Sequence, residues 1–398
     1  MKKLSIPRLL SPILIEGAEI FSPAPLGVQS VLLVNGKVMA IREKIERDFV
    51  LLIAEGMEVE PCFIDARGHR LIPGVVDAHE HLTGGSGEDG FATQTPAITL
   101  EELIRGGITT VVGCIGVDTY TQNLPHLLGR VKALREEGIS AWMYTGGYDV
   151  PPQTLTGDVR TDLILVSEVI GAGETAIADR RSTQPSTGEL ARIVAAARTG
   201  GLLTQKAGIT HFHVGDEPRG ISQLNELLDH FDVCADCLYP THVERKPALL
   251  KESAKITHRG VVVDMDVCEQ DLEGDLSKFV EEDGLLTHLT FSSDASIISP
   301  RTLYDQVRGC ILNQSLKKKT HSIETLLSLI TLNPARVLKM PTKGWIAVGA
   351  DADVLVVDSK FEIRDVIASG RLVMAGGVVK VTPRYDRWSN RFGSKIER

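Results

Sequence analysis

The sequence predicts an α/β fold, a β/α barrel flanked by two β-rich chain ends. Three observations predict it. Near-continuous apolar runs alternate about eight times with helical stretches, the two ends carry short Val/Ile/Leu runs of another character, and polar residues gather where the middle runs stop. A chain of 398 residues suits two domains, or one large barrel with an appendage, at roughly 100–200 residues per domain.

In chain order, residues 13 to 65 hold Ile13-Leu14-Ile15, Val31-Leu32-Leu33-Val34 and Val50-Leu51-Leu52-Ile53, separated by turn residues such as Asn35-Gly36, the pattern of a small sheet of hairpins. The middle runs are Leu71 to Ala78, Gly107 to Cys114, Ser140 to Thr145, Gly173 to Ala178, Gly208 to Val214, Leu238 to Val243, Gly260 to Met265 and Leu289 to Ser293. Their continuous apolar character is that of buried parallel strands. Helical pieces intervene at Leu100 to Arg105, Leu124 to Glu137, Thr187 to Arg198, Ile221 to His230 and Leu303 to Ser315. A doubly wound open sheet fits the alternation too, but no GxGxxG opens any unit. Asp353 to Asp358 and Leu372 to Val379 return to strand-like patterning at the C-terminus.

Composition excludes several classes. With 43% apolar and 24% charged residues the chain is an ordinary globular protein, not a disordered or collagen-like one. A net charge of -9 leaves no broad basic surface for phosphate backbones, so no nucleic-acid partner is expected. Six scattered cysteines form no disulfide framework, and reduced cytoplasmic thiols are expected; Cys234-Ala-Asp-Cys237 lacks the second pair that a zinc site needs. The first residues imitate a signal peptide, but Pro7, Arg8 and Pro12 interrupt the apolar run and no small-residue cleavage site follows, so export is not expected. No apolar stretch of roughly 18 residues predicts a membrane span.

The strand ends carry the chemistry. They read Asp77-Ala78-His79-Glu80-His81, Glu174 with Asp179, His211-Phe212-His213, His242 and Asp294, which is an inventory of metal ligands. On an extended chain His79 and His81 point to the same side and can hold one ion.

These residues lie in IPGVVDAHEHLTGGSGE, VIGAGETAIADRRS, HFHVGD, PTHVER and FSSD, which resemble the amidohydrolase superfamily and, within it, the isoaspartyl dipeptidases. AWMYTGGYDVP and the β-rich ends extend the resemblance over most of the chain. It implies a distorted, TIM-like (β/α)8 barrel over 69–344, with a small β-sandwich formed by 1–68 and 345–398. It further implies two divalent metals, usually zinc, bridged by a hydroxide, and a homo-oligomer acting on a small dipeptide. By the resemblance His79, His81 and Asp294 hold the first metal and His213 and His242 the second, with Asp294 also accepting the proton during attack. Glu88 would meet the substrate ammonium, Arg181 and Arg245 its carboxylates, and Tyr148 the oxyanion. His211 matches no family ligand and is expected to pack.

Two positions depart from the family pattern. Glu174, after one extra residue, stands where the family has a carbamylated lysine on strand four, and it is expected to bridge in that group's place; Lys206, the nearest downstream lysine, precedes strand five at the wrong end. Ile298 aligns with a substrate-binding serine, for which Ser296 or Ser299 could compensate. The leading reading is a metallo-dipeptidase hydrolysing β-aspartyl isopeptide bonds. The alternatives are an amidohydrolase acting on N-acyl amino acids or cyclic amides, and a catalytically silent scaffold.

Overall fold

The computed structural model describes residues 10–268, 271–316 and 321–384. Strand β1 (Ile13–Phe21) pairs antiparallel with β2 (Pro25–Val34), which turns through Asn35-Gly36 into β3 (Lys37–Arg42). Both turn residues have positive φ, 49° and 78°, as a two-residue hairpin requires. The run Val50 to Ile53, expected as a strand, lies instead in helix α1 (Arg47–Gly56). Val50 and Ala54, four residues apart, are buried while Leu51 and Leu52 face solvent; so short an apolar run carries no period of its own, and the helical repeat of its surroundings prevails.

β4 (Cys62–Asp65) and β5 (Arg70–Pro73) lie parallel to β1. Leu71 to Ala78, expected as one barrel strand, divides at Gly74: its first part is β5 of the terminal sheet and its second opens β6 (Val75–Glu80). From there strands and helices alternate: α2 (Leu100–Arg105), β7 (Ile108–Gly113), α3 (Leu124–Glu137), β8 (Ser140–Thr145), α4 (Val159–Leu165), β9 (Val169–Ile177), α5 (Thr187–Thr204) and β10 (Ile209–Val214). Then follow α6 (Ser222–His230), β11 (Leu238–Thr241), α7 (Pro247–Thr257), β12 (Val263–Asp266), α8 (Leu272–Glu281), β13 (Leu289–Ser292), α9 (Arg301–Leu316), α10 (Ile323–Ser328) and α11 (Leu332–Val337). Helix α5 continues past the expected Arg198 through Gly200 and Gly201, where close packing leaves no room for a side chain; a Cβ on Gly201 would lie 2.5 Å from the Gly208 Cα.

β6 to β11 form one parallel sheet in sequence order, and β12 pairs with β13 in a second parallel ladder. A bridge between Glu80 and Ala295 joins the end of β6 to the chain after β13; Asp294 N donates to His79 O at 3.1 Å and His81 N to Ala295 O at 3.0 Å. The result is a curled parallel array, its ladder interrupted between β11 and β12 and narrowed to that bridge beside β6. Every residue of β6, β7, β9 and β10 is buried.

β14 (Val354–Val357) returns to pair with β5, and β15 (Ile363–Ala368), β16 (Arg371–Ala375) and β17 (Val378–Val379) extend the mixed terminal sheet outward from it. The chain divides into two compact units, Met1–Gly74 with Thr342–Arg398, and Val75–Pro341. In the first, Ile15, Val31, Leu71 and Val354 face one core while Leu14 and Leu32 turn to the other face against Val50 of α1, the alternation of a two-sided sheet. Among the described residues no helix is long and apolar enough to cross a membrane, and all six cysteines are unpaired.

A buried ion cluster in this unit yields a stability prediction. Lys343 Nζ lies 2.5 Å from Asp353 Oδ2 and 3.0 Å from Asp351 Oδ2. Burial alone would lower the pKa of the Lys343 ammonium; the two carboxylates outweigh it and raise the value, while Lys343, against burial, brings Asp351 below its ordinary value. The lysine contribution is therefore complete below its unfolded pKa and lost only as pH rises through the raised one. That of Asp351 is present above its unfolded pKa and lost as pH falls through the lowered one. Lys343→Met is expected to destabilise the fold by about 3–5 kcal/mol at neutral pH in urea titrations, since it leaves buried Asp353 without a cation and Asp351 with Lys37 alone. The deficit should shrink in acid; equal midpoints at pH 7 would refute a stabilising role for the cluster.

Candidate metal centre

Each strand from β6 to β13 delivers a polar side chain at its C-terminal end, where β/α barrels concentrate their chemistry. They are His79 and His81, Cys114, Tyr148, Glu174, His213, His242, Asp266 and Asp294. His79 Nε2 and His81 Nε2 lie 3.4 and 3.1 Å from Asp294 Oδ1, and 3.5 and 3.8 Å from Glu174 Oε2. The other oxygen of Glu174, Oε1, lies 2.9 Å from His213 Nδ1 and 3.1 Å from His242 Nε2. One carboxylate thus spans two histidine pairs, with an oxygen turned to each.

A strand irregularity puts it there. β9 and β10 pair residue for residue up to Ala172 and Thr210 and resume at Thr175 and Phe212, so β9 carries one extra residue, a bulge at Gly173-Glu174. Gly173 has φ 144°, and a Cβ there would lie 2.6 Å from His211 O, so only glycine allows this approach to β10. His242 and Asp294 hold left-handed backbones, φ 65° and 46°, a strain of about 1–3 kcal/mol each that commonly marks functional positions.

The donor set fits divalent metal ions. Imidazole nitrogen and carboxylate oxygen about 2.1 Å from a tetrahedral zinc stand about 3.4 Å apart, and the separations here, 2.9 to 3.8 Å, bracket that spacing. His79 Nε2 and Glu174 Oε2 are buried with no hydrogen-bond partner, an expensive state that an ion between them would relieve. The combinations His79/His81/Cys114/Glu174, His79/His242/Asp294 and Glu174/His213/His242 each bring their donor atoms within 4.8 Å of one another.

Outer carboxylates orient the rings. His213 Nε2 meets Asp179 Oδ2 at 2.9 Å and His242 Nδ1 meets Asp266 Oδ2 at 2.5 Å, holding each far nitrogen so that the near one faces Glu174. Burial opposes ionisation of Glu174, but His79, His213 and His242 hold it well below the usual carboxylate range; Asp294 is likewise lowered, against burial, by His79 and His81. Asp266 lies one residue beyond the expected strand Gly260 to Met265, and the strand-end rule applied there would have found it. Asp266→Asn is expected to weaken metal binding about 10–100-fold in a chelator competition titration. Unchanged affinity would show that Asp266 does not act through His242.

The expected substrate residues stand in three different settings. Tyr148 is buried beside the cluster, its hydroxyl 2.7 Å from His213 Nδ1; burial and then the Glu174 charge raise its pKa, so it stays a phenol. Glu88 and Arg181 meet each other: Arg181 Nη1 donates to Glu88 Oε2 at 2.6 Å, while its Nε and Nη2 grip Asp179 at 3.0 and 2.7 Å. Arg245 is half-buried, and its guanidinium makes no hydrogen bond or close ion pair among the described residues; against burial, Asp266 and Asp294 raise its pKa. His211 packs between Tyr144 and Tyr239 with Nδ1 3.0 Å from Tyr239 O, and burial followed by His79 lowers its pKa. Lys206 Nζ is bound to the carbonyls of Leu163 and Val166, both at 2.6 Å. Ile298 is half-buried, and Ser299 Oγ accepts from Arg301 N at 3.3 Å at the start of α9.

The sequence profile of the amidohydrolase family matches residues 70–373. The β-aspartyl dipeptidase of Fervidobacterium islandicum AW-1, crystallised with a β-Asp-Leu dipeptide, is 36% identical and superposes with a TM-score of 0.85 over 93% of this chain and 99% of that one. Atrazine chlorohydrolase from Arthrobacter aurescens TC1, 15% identical with a TM-score of 0.62 over 93% of this chain and 97% of that one, shares the fold alone. A dihydroorotase of Elusimicrobium minutum is 34% identical over 102 residues, 25% of this chain and 20% of that protein, so this match spans about a fifth of the relative's length. The chain belongs to the amidohydrolase family and is a homologue of the β-aspartyl dipeptidases.

Proposed function

We propose that the protein is a metal-dependent dipeptidase that hydrolyses the isopeptide bond of β-aspartyl dipeptides. The observation that carries this reading is the placement of Glu174 between two histidine pairs with Asp294 beside the first. Likeness to a β-aspartyl dipeptidase over nearly the whole chain supports the substrate class. His79, His81 and Asp294 would hold one ion, His213 and His242 a second, with Glu174 serving both; zinc suits these donors. Such ions supply Lewis-acid polarisation of the amide carbonyl and ready ionisation of water at neutral pH.

The protein groups do the rest. Asp294, kept anionic, accepts a proton from the attacking water and returns it to the leaving amine. Tyr148, kept protonated, donates to the oxygen on which charge develops. Arg245 takes a substrate carboxylate, and Glu88 and Arg181 exchange their mutual pair for the ammonium and carboxylate of the substrate. We read the eight strands as a distorted, TIM-like (β/α)8 barrel, supported by the Glu80–Ala295 bridge, and residues 1–68 with 345–398 as its small β-sandwich companion. The six unpaired thiols support a reducing, cytoplasmic setting.

The test is a substrate screen on metal-replete protein. β-Aspartyl dipeptides should be cleaved well above N-acyl amino acids and cyclic amides, and His79→Ala or His242→Ala should lose metal and activity together. Preferential cleavage of N-acyl amino acids would transfer the site to a different amidohydrolase activity.

A further inference from the structure

We propose that Cys114 Sγ is a ligand of the ion held by His79 and His81, a thiolate added to the histidine and carboxylate donors. The inference rests on the metal-centre reading and deepens it. Cys114 follows β7, is 1% exposed, and packs in a core cluster that includes Val76 and Val112, while its sulfur borders the histidines. Sγ lies 3.7 Å from His81 Nδ1 and 3.9 Å from His81 Nε2, and forms one of the groups in which donor atoms of His79, His81 and Glu174 all lie within 4.8 Å. Two of those residues, His79 and Glu174, carry buried atoms without a hydrogen-bond partner, Nε2 and Oε2. Around tetrahedral zinc, a sulfur at about 2.3 Å and a nitrogen at about 2.1 Å stand about 3.6 Å apart, so the sulfur needs to move only a few tenths of an ångström relative to the imidazole.

A second thiol near the centre, Cys268, belongs to another such group, with Asp266 and Asp294, and differs in having no imidazole nitrogen among its partners. Cys268 Sγ faces oxygens, with Asp294 Oδ2 at 3.8 Å and the carbonyls of Ser293 and Asp294 at 3.9 Å, all acceptors for an S–H. Cys114 faces imidazole nitrogens besides the Glu80 carbonyl at 3.6 Å. On metal binding the Cys114 proton leaves to solvent and the sulfur lone pair occupies the coordination position. A soft thiolate biases such a site toward zinc or cobalt over magnesium or manganese.

X-ray absorption at the zinc edge of the zinc-loaded full chain tests this directly. The expected spectrum contains a sulfur scatterer at about 2.3 Å, retained in Cys268→Ser and lost in Cys114→Ser. Cobalt loading gives an independent readout, a thiolate-to-metal charge-transfer band in the near ultraviolet with the same dependence on the two variants. If Cys114→Ser fails to fold, the wild-type and Cys268→Ser spectra still decide. Bound zinc with nitrogen and oxygen scatterers alone overturns the inference and leaves the metal-centre reading standing. A sulfur shell lost in Cys268→Ser overturns it as well, and a protein that binds no metal overturns both.

Discussion

Glu174→Ala is expected to purify with fewer divalent ions than the parent protein and to lose activity by more than the 10–100-fold that follows loss of a partner outside the ligand set. The reason lies in the two oxygens. Oε1 meets His213 and His242, Oε2 faces His79 and His81, and removing both takes a ligand from each proposed ion at once. A carbamylated lysine would offer the same planar carboxylate and single charge on a longer arm. Here the arm is shorter, and the bulge at Gly173-Glu174 supplies a backbone route that brings it to the histidines. Lys206, bound to carbonyls of Leu163 and Val166, offers no substitute. Apo protein reconstituted in bicarbonate-free buffer should therefore reach full activity. Dependence of activity on added bicarbonate, or a Glu174→Ala variant with normal metal content and turnover, would remove Glu174 from the bridging position.

The legible parts of the molecule were those with a period or a position rule. The strands of the parallel array showed themselves as continuous apolar runs, and their ends announced His79, His81, Glu174, His213, His242 and Asp294 by residue type. What stayed hidden depends on neighbours distant in sequence. Val50 to Ile53 reads equally as strand or helix until Ala54 is known to share its buried face with Val50. The division of Leu71 to Ala78 at Gly74 follows from pairing of β5 with β1 and β14, which no local pattern encodes. The mutual pairing of Glu88 with Arg181 joins residues 93 positions apart, and Asp179 joins Arg181 to His213 through one carboxylate. A sequence reading assigns such residues one at a time; the geometry makes them a chain.

Arg245→Met is expected to lower kcat/KM for a dipeptide with a free carboxylate by about two orders of magnitude or more, and to do far less to the corresponding amide. A charge-assisted hydrogen bond contributes about 1.5–3 kcal/mol, a neutral one about 0.5–1.5 kcal/mol, and a guanidinium can present two donors to one carboxylate. Arg245 is the suitable arginine because its guanidinium is uncommitted among the described residues, whereas Arg181 already serves Asp179 and Glu88. Removing Arg181 would leave both acids unbalanced and blur substrate binding with structure. Losing Arg245 also withdraws a positive charge from beside Asp266 and Asp294, next to the proposed ligands. That effect falls on acid and amide alike, so the ratio of their losses isolates carboxylate recognition. Arg245→Lys retains the charge without the planar fork and should recover only part of the difference. Equal losses on the two substrates, with Arg245→Lys no better than Arg245→Met, would assign Arg245 to support of Asp266 and Asp294 instead of to the substrate.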